Sequence, residues 1–250
     1  MYNYANEVAK HIEGANVKRV EKANGIVCYG ISKRFGNIAP CVYINGYYER
    51  KWEPEDAARD IEGLLQKAMS EAPDISGLPA LMTYENVRPK LRARLYNAKT
   101  KADICQPATE WGFDDLIIVP YIIIEEDESG IAASQVTCDL LAEWEVSEAE
   151  VIKDALKNSE AEVEEREIWG LNTVTNKATL YGAISILFVL DKYKAMYPEG
   201  VVVIPSSVNE VIVQPYTEDC EDIYNTMVHE VNEDMVNPME VLSDHAYFFK

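Results

Sequence analysis

The sequence predicts an α+β fold: mixed, mainly antiparallel sheets flanked by helices. Three observations carry this. Strand-like apolar runs alternate with helical-period stretches but show no regular βαβ rhythm, which speaks against a doubly wound sheet. Turn pairs such as Asn24-Gly25 and Ser129-Gly130 stand between neighbouring strand-like runs, as in hairpins. The chain also has 250 residues, 48% of them hydrophobic, enough to build a core without a metal or disulfide staple.

The elements follow in order. An amphipathic helix is expected over residues 4–12, then strands over 17–22 and 26–32 joined by Asn24-Gly25. A third strand, 39–45, ends at Asn45-Gly46. Pro54 followed by Glu55 and Asp56 opens a helix to about residue 70, because proline and acids suit a first turn. Its apolar stripe is Ala57, Ile61, Leu64, Leu65 and Ala68. Residues 72–80, with Pro73, Gly77 and Pro79, read as a loop. A basic helix is expected over 84–99, carrying Arg88, Lys90, Arg92, Arg94 and Lys99 with Val87, Leu91 and Leu95 on the core side.

Residues 116–124 read as a buried central strand, followed by an acidic turn and a returning strand over 131–136. A short helix over 138–144 precedes Ser147 and Glu150, which have capping-box spacing for a helix over 147–157. Strands are expected over 168–175 and 181–186, a helix over 187–196, and strands over 201–204 and 208–213. An acidic helix over 219–232 and an edge strand over 246–249 end the series.

Charge divides the chain. Residues 1–101 hold 16 basic and 12 acidic residues; residues 102–250 hold 7 and 31. The expected organisation is a near-neutral lobe, 1–101, and a strongly acidic lobe, 102–250. The net charge of −20 argues against direct nucleic-acid binding, which needs clustered Lys and Arg. No apolar stretch approaches the ~20 residues of a membrane helix, and no signal peptide is visible, so a cytoplasmic location and no membrane partner are expected. The five cysteines are widely spaced without a CxxC pair, as reduced thiols are, with Cys28 and Cys41 on adjacent strands.

Catalytic signatures are missing. His229-Glu230 lacks the second histidine of H-E-x-x-H, since position 233 is Glu. Asp244-His245 has no placed nucleophile, and there is no P-loop, dinucleotide fingerprint or G-x-S-x-G elbow. No catalytic residue, metal or cofactor is assigned. The best polar constellation is the turn holding Ser206, Ser207, Asn209 and Glu210 between two apolar strands. It suits a small polar ligand, and it suits equally the capping of its own backbone. Tyr43, Tyr47 and Tyr48 form one candidate interaction surface, and Glu125, Glu126 and Asp127 another. Most of the four tryptophans and 15 tyrosines are expected in core or edge packing.

Several segments carry a family resemblance: Ala39-Pro40-x-Val42-Tyr43-x-Asn45-x-x-Tyr48-Glu49, Leu141-x-x-Trp144-x-Val146-Ser147-x-x-Glu150, the run from Val203 through Ile212, and Val241-Leu242-Ser243-Asp244-x-x-Tyr247. Together they resemble an uncharacterised domain family of anaerobic Gram-positive bacteria and their mobile elements, over nearly the whole chain. Residues 144–150 and 200–215 are also similar to parts of a second uncharacterised bacterial family. Neither implies an activity. Where the family often has histidine this chain has Asn209, which removes proton shuttling there.

The expected function is a non-enzymatic acidic interaction protein that engages a protein with a basic surface. One concrete form is a mobile-element accessory or counter-defence factor. The alternative is a small-molecule-binding protein or enzyme using the 206–210 turn. A third class is a homo-oligomer joined through its two charge halves.

Overall fold

The computed structural model describes residues 1–21, 27–34, 39–70, 83–127, 130–218 and 220–250, with the backbone alone given for 69, 70, 125–127 and 130–132. Asn24-Gly25 and the 72–80 loop lie outside the described residues. The chain forms two compact units, Met1–Ile75 and Ser76–Lys250.

In the first unit, β1 (Ala15–Glu21), β2 (Val27–Lys33) and β3 (Cys41–Tyr43) form an antiparallel sheet in that order. Helices α1 (Tyr2–Lys10) and α3 (Pro54–Ser70) pack on it, with the short α2 (Asn45–Glu49) between β3 and α3. Ala5, Val8, Ile12, Ile31, Ile44, Ala57, Ile61 and Leu65 fill the core. The expected stripe of α3 is narrower than its sequence suggests: Leu64 and Ala68 are exposed. They stand three residues after Ile61 and Leu65, where the helix face turns from the sheet.

The second unit begins with a correction. The expected basic helix over 84–99 is only the single turn α4 (Tyr84–Val87) and a 3-10 turn, Arg88–Lys90. Leu91–Asn97 is strand β4, paired antiparallel along its whole length with β6 (Leu116–Asp127). Leu91 and Leu95 keep one face under either periodicity, so helical spacing could not distinguish the two. Both faces of β4 are covered, and that burial favours the strand.

Beside β6, on its other edge, lie β5 (Gln106–Pro107) and β7 (Gly130–Gln135). The second sheet of this unit runs β12-β10-β11-β9-β8, where β8 is Val163–Ile168, β9 Leu171–Asn176, β10 Val201–Ser207, β11 Glu210–Pro215 and β12 Tyr247–Phe249. Its pairings are antiparallel. Helices α5 (Cys138–Trp144), α6 (Glu148–Glu160), α7 (Ile186–Met196) and α8 (Cys220–Asp234) complete the unit. Ser147 caps α6, its Oγ accepting the Glu150 N–H at 3.2 Å, as the spacing predicts.

Two further elements differ from expectation. The strand expected over 168–175 is a β8–β9 hairpin turning at Trp169-Gly170, because both residues take positive φ. The strand expected over 181–186 is a 3-10 turn, Gly182–Ser185, that runs into α7. A Cβ on Gly182 would lie within 2.4 Å of Thr175 Oγ1 and 2.7 Å of the Asn209 carbonyl oxygen, so backbone packs where a side chain would be. The charge step at 101/102 falls between β4 and β6, strands of one sheet. Divided at 75/76 instead, the units hold 10 basic against 11 acidic residues and 13 against 32.

Candidate functional site

The 206–210 turn is a tight hairpin. β10 extends through Ser207, β11 starts at Glu210, and Val208-Asn209 make the reversal. The polar groups serve one another. Ser206 Oγ donates to Glu210 Oε1 at 3.2 Å, and the Asn209 N–H donates to Ser207 Oγ at 3.1 Å. The Asn209 carbonyl accepts from Thr175 Oγ1 at 2.8 Å, and Asn209 Oδ1 accepts the Tyr181 N–H at 2.9 Å. Asn209 therefore ties the hairpin to β9 and to the left-handed residue that opens the Gly182–Ser185 turn.

That tie positions an aromatic ring. The Arg94 guanidinium lies 3.6 Å from the Tyr181 ring centroid and 4.1 Å from that of Tyr121. Arg94 and Tyr121 share a sheet face, since Arg92 pairs with Tyr121 and Arg94 with Val119. The other arginines of this segment meet the acidic half of their own unit. Arg92 Nη2 is 2.6 Å from Glu162 Oε1, and Arg88 Nε is 2.8 Å from Asp154 Oδ2. Tyr84 also donates to Asp154, at 2.8 Å. Burial pushes the Asp154 carboxyl up, but the bonds from Tyr84 and Arg88 outweigh it and hold the group below its ordinary range.

Sequence spacing gave no hint of the Asp115 cluster. Ser243 Oγ is 2.8 Å from Asp115 Oδ2 and 3.2 Å from His245 Nδ1, and Tyr247 donates to Asp115 Oδ1 at 2.7 Å. Asn97 Nδ2 adds a contact at 3.3 Å. In a hydrolytic triad the imidazole stands between hydroxyl and carboxylate. Here the hydroxyl contacts the carboxylate directly, and Ser243 is only 1% exposed. The cluster fastens β4, β12 and the segment between α8 and β12. Burial, with Asp115 accepting its proton bond, raises the Tyr247 hydroxyl above the ordinary range.

In the first unit, Tyr43 and Tyr47 are partly buried and Tyr48 is exposed. Tyr47 packs edge-on against Trp52, and its hydroxyl donates to Asp60 Oδ2 at 2.6 Å. Burial and that bond push its pKa up to about 12. Tyr48 meets Tyr4 edge-on. The backbone of Glu125, Glu126 and Asp127 continues β6, and their side chains lie outside the described residues. All five cysteines are free thiols; Cys41 opposes Ser32 rather than Cys28. Among the described residues no group of three His, Cys, Asp or Glu side chains could hold a metal ion.

Two exposed apolar features escaped sequence reasoning. Trp169, an exception to the packing expected of most aromatics, sits at the β8–β9 hairpin tip and is 97% exposed, with Ile168 and Leu171 exposed beside it. On α8, Ile223 (67% exposed), Met227 and Val231 form an exposed row at four-residue spacing, which Met235 (81%) continues just past the helix. The buried residues of that helix are Cys220 and Val228, and the exposed row runs alongside them. Glu230 and Asp234 stand three residues after Met227 and Val231, the spacing of neighbours on a helix surface. The ion pairs of α8 among the described residues are His229–Glu233 and Glu221–Lys250, so Glu230 and Asp234 border the row with their charge uncompensated. A sliding 3.6-residue count would have found the row.

A family model matches residues 3–174 and 160–250. The chain belongs to the DUF5688 family. It is a family of unknown function, so membership assigns this DUF5688 protein no chemistry. No curated protein and no solved structure gives a significant match.

Proposed function

We propose that this DUF5688 protein is an acidic interaction protein, and that α8 docks a basic amphipathic helical segment of a partner protein. The supporting observation is the exposed row Ile223, Met227, Val231 and Met235 bordered by Glu230 and Asp234. An apolar row at helical spacing fits the apolar face of a second helix. Methionine suits such a face because its unbranched thioether repacks readily. The bordering carboxylates select the partner's flank: Lys and Arg are attracted and acids are rejected. The 13 basic against 32 acidic residues of this unit add long-range steering of the same sign.

The test is fluorescence anisotropy with a labelled helical peptide bearing Leu on one face and Lys on its flanks. We expect saturable binding that weakens with salt. Met227→Asp with Val231→Asp should abolish it, and Glu230→Lys with Asp234→Lys should weaken it by about tenfold or more. The same charge change placed elsewhere, Glu143→Lys with Glu160→Lys, should weaken it far less. Equal losses from the two charge reversals would reduce the effect to net charge and overturn the α8 assignment. A peptide with Glu flanks binding equally well would overturn the partner chemistry.

A further inference from the structure

Among the described residues, two charged side chains are fully buried: Asp154 and Arg94. Asp154 has Arg88 and Tyr84. Arg94 has no carboxylate partner among the described residues. It is 6% exposed, and its described contacts are the two ring faces of Tyr121 and Tyr181. A guanidinium never deprotonates in a protein, and burying one without a counter-charge is costly. Both ring faces lie within cation–π reach of the guanidinium carbon. The five N–H donors point outward in that plane, where stacking leaves them unused.

Beside this group lies a small cavity lined by Arg92, Arg94, Ser159, Glu162, Asn176 and Tyr181 among others, with about 30 Å³ of space for the centres of water-sized groups. Its charge does not balance. Glu162 is engaged by Arg92, so two guanidinium groups face one carboxylate. Among the described residues the lining is one negative charge short. The dimensions also select: a head group of a few oxygens fits, and a larger body would stay outside. A planar fork of donors matches two oxygens of one oxyanion, which is why arginine serves such sites.

We infer that the Arg94 cavity is a binding site for the oxyanion group, carboxylate or phosphate, of a small ligand. Tyr121 and Tyr181 hold the guanidinium plane so that its edge meets the anion, and Asn209 fixes Tyr181 through the backbone N–H. The polar turn thus acts as a positioning element for a site one layer away. This site is separate from α8, and either assignment can fail alone.

The test uses the purified chain, with sodium phosphate and sodium acetate compared against sodium chloride at matched ionic strength. Thermal melting and the arginine Nε–Hε resonances are followed. We expect a saturable rise in melting temperature with at least one oxyanion and a shift of one Nε–Hε signal that is absent from Arg94→Lys. Tighter phosphate binding assigns a phosphate ligand, and tighter acetate binding a carboxylate. Arg94→Lys keeps the charge and loses the fork, so Kd should rise by about tenfold or more. Should that variant not fold, Tyr181→Leu, which removes one stacking face, should also raise Kd severalfold. Absence of saturation with both anions overturns the inference, as does an unchanged Kd in a folded variant.

Discussion

At the residue scale, Asp154 and Trp169 represent opposite solutions. Asp154 is buried and its oxygens are bonded by Tyr84 and Arg88. Replacement by Ala would strand a partly buried tyrosine hydroxyl, and we expect a loss of about 1–2 kcal/mol in urea unfolding at pH 7. Its folded pKa is lowered, so its contribution is complete above the unfolded value near 4 and fades as pH falls through the folded value. Below pH ~4 wild type and Asp154→Ala should therefore converge. A constant gap down to pH ~2 would contradict the assignment. Trp169 carries φ +53 with Gly170 at φ +81, a two-residue turn that favours Asn-Gly. A bulky residue there is strained. Trp169→Asn should stabilise the protein by about 0.5–1 kcal/mol, read as a higher urea midpoint. An unchanged or lower midpoint would mean that the ring contributes to folding.

At the element scale, the β10–β11 hairpin and the Gly182–Ser185 turn depend on each other. Asn209 accepts the Tyr181 N–H, and the Val208 carbonyl accepts the Ala183 N–H while the Val208 N–H donates to the Glu240 carbonyl. Asn209→Ala leaves that N–H unpaired and should cost about 1–3 kcal/mol. Asn209→Asp keeps an acceptor and should cost much less. Gly182→Ala would press a methyl into Thr175 and Asn209, with a cost of about 1–3 kcal/mol. Chemical denaturation of the three variants checks this order. If Asn209→Asp fell with Asn209→Ala, the single hydrogen bond would not be what joins the two segments.

At the scale of the whole molecule, each unit has its own core. One contains residues between Ala5 and Leu65; the largest contains residues between Val87 and Tyr247. Residues 76–250 expressed alone should keep native-like circular dichroism and unfold cooperatively, since a chain of that length buries enough surface to fold unaided. Loss of cooperativity would show that the second unit needs the first. Among the described residues no helix is long and apolar enough to cross a membrane.

Period, caps and composition by themselves determined the α+β class, the helix at 138–144, the cap at Ser147, the buried β6 and the terminal edge strand. Each is signalled by the pattern of residues within a short stretch, which sequence displays. What the tertiary structure decided is non-local. Leu91 and Leu95 fit helix and strand alike until β6 supplied a partner for the backbone. Asp115 meets Ser243, 128 residues away, and no spacing foretells such a contact. Arg94 looked like one more surface cation in a basic run. Only the packing of Tyr121 and Tyr181 against its side chain buried it, because burial depends on what distant segments lay over a residue.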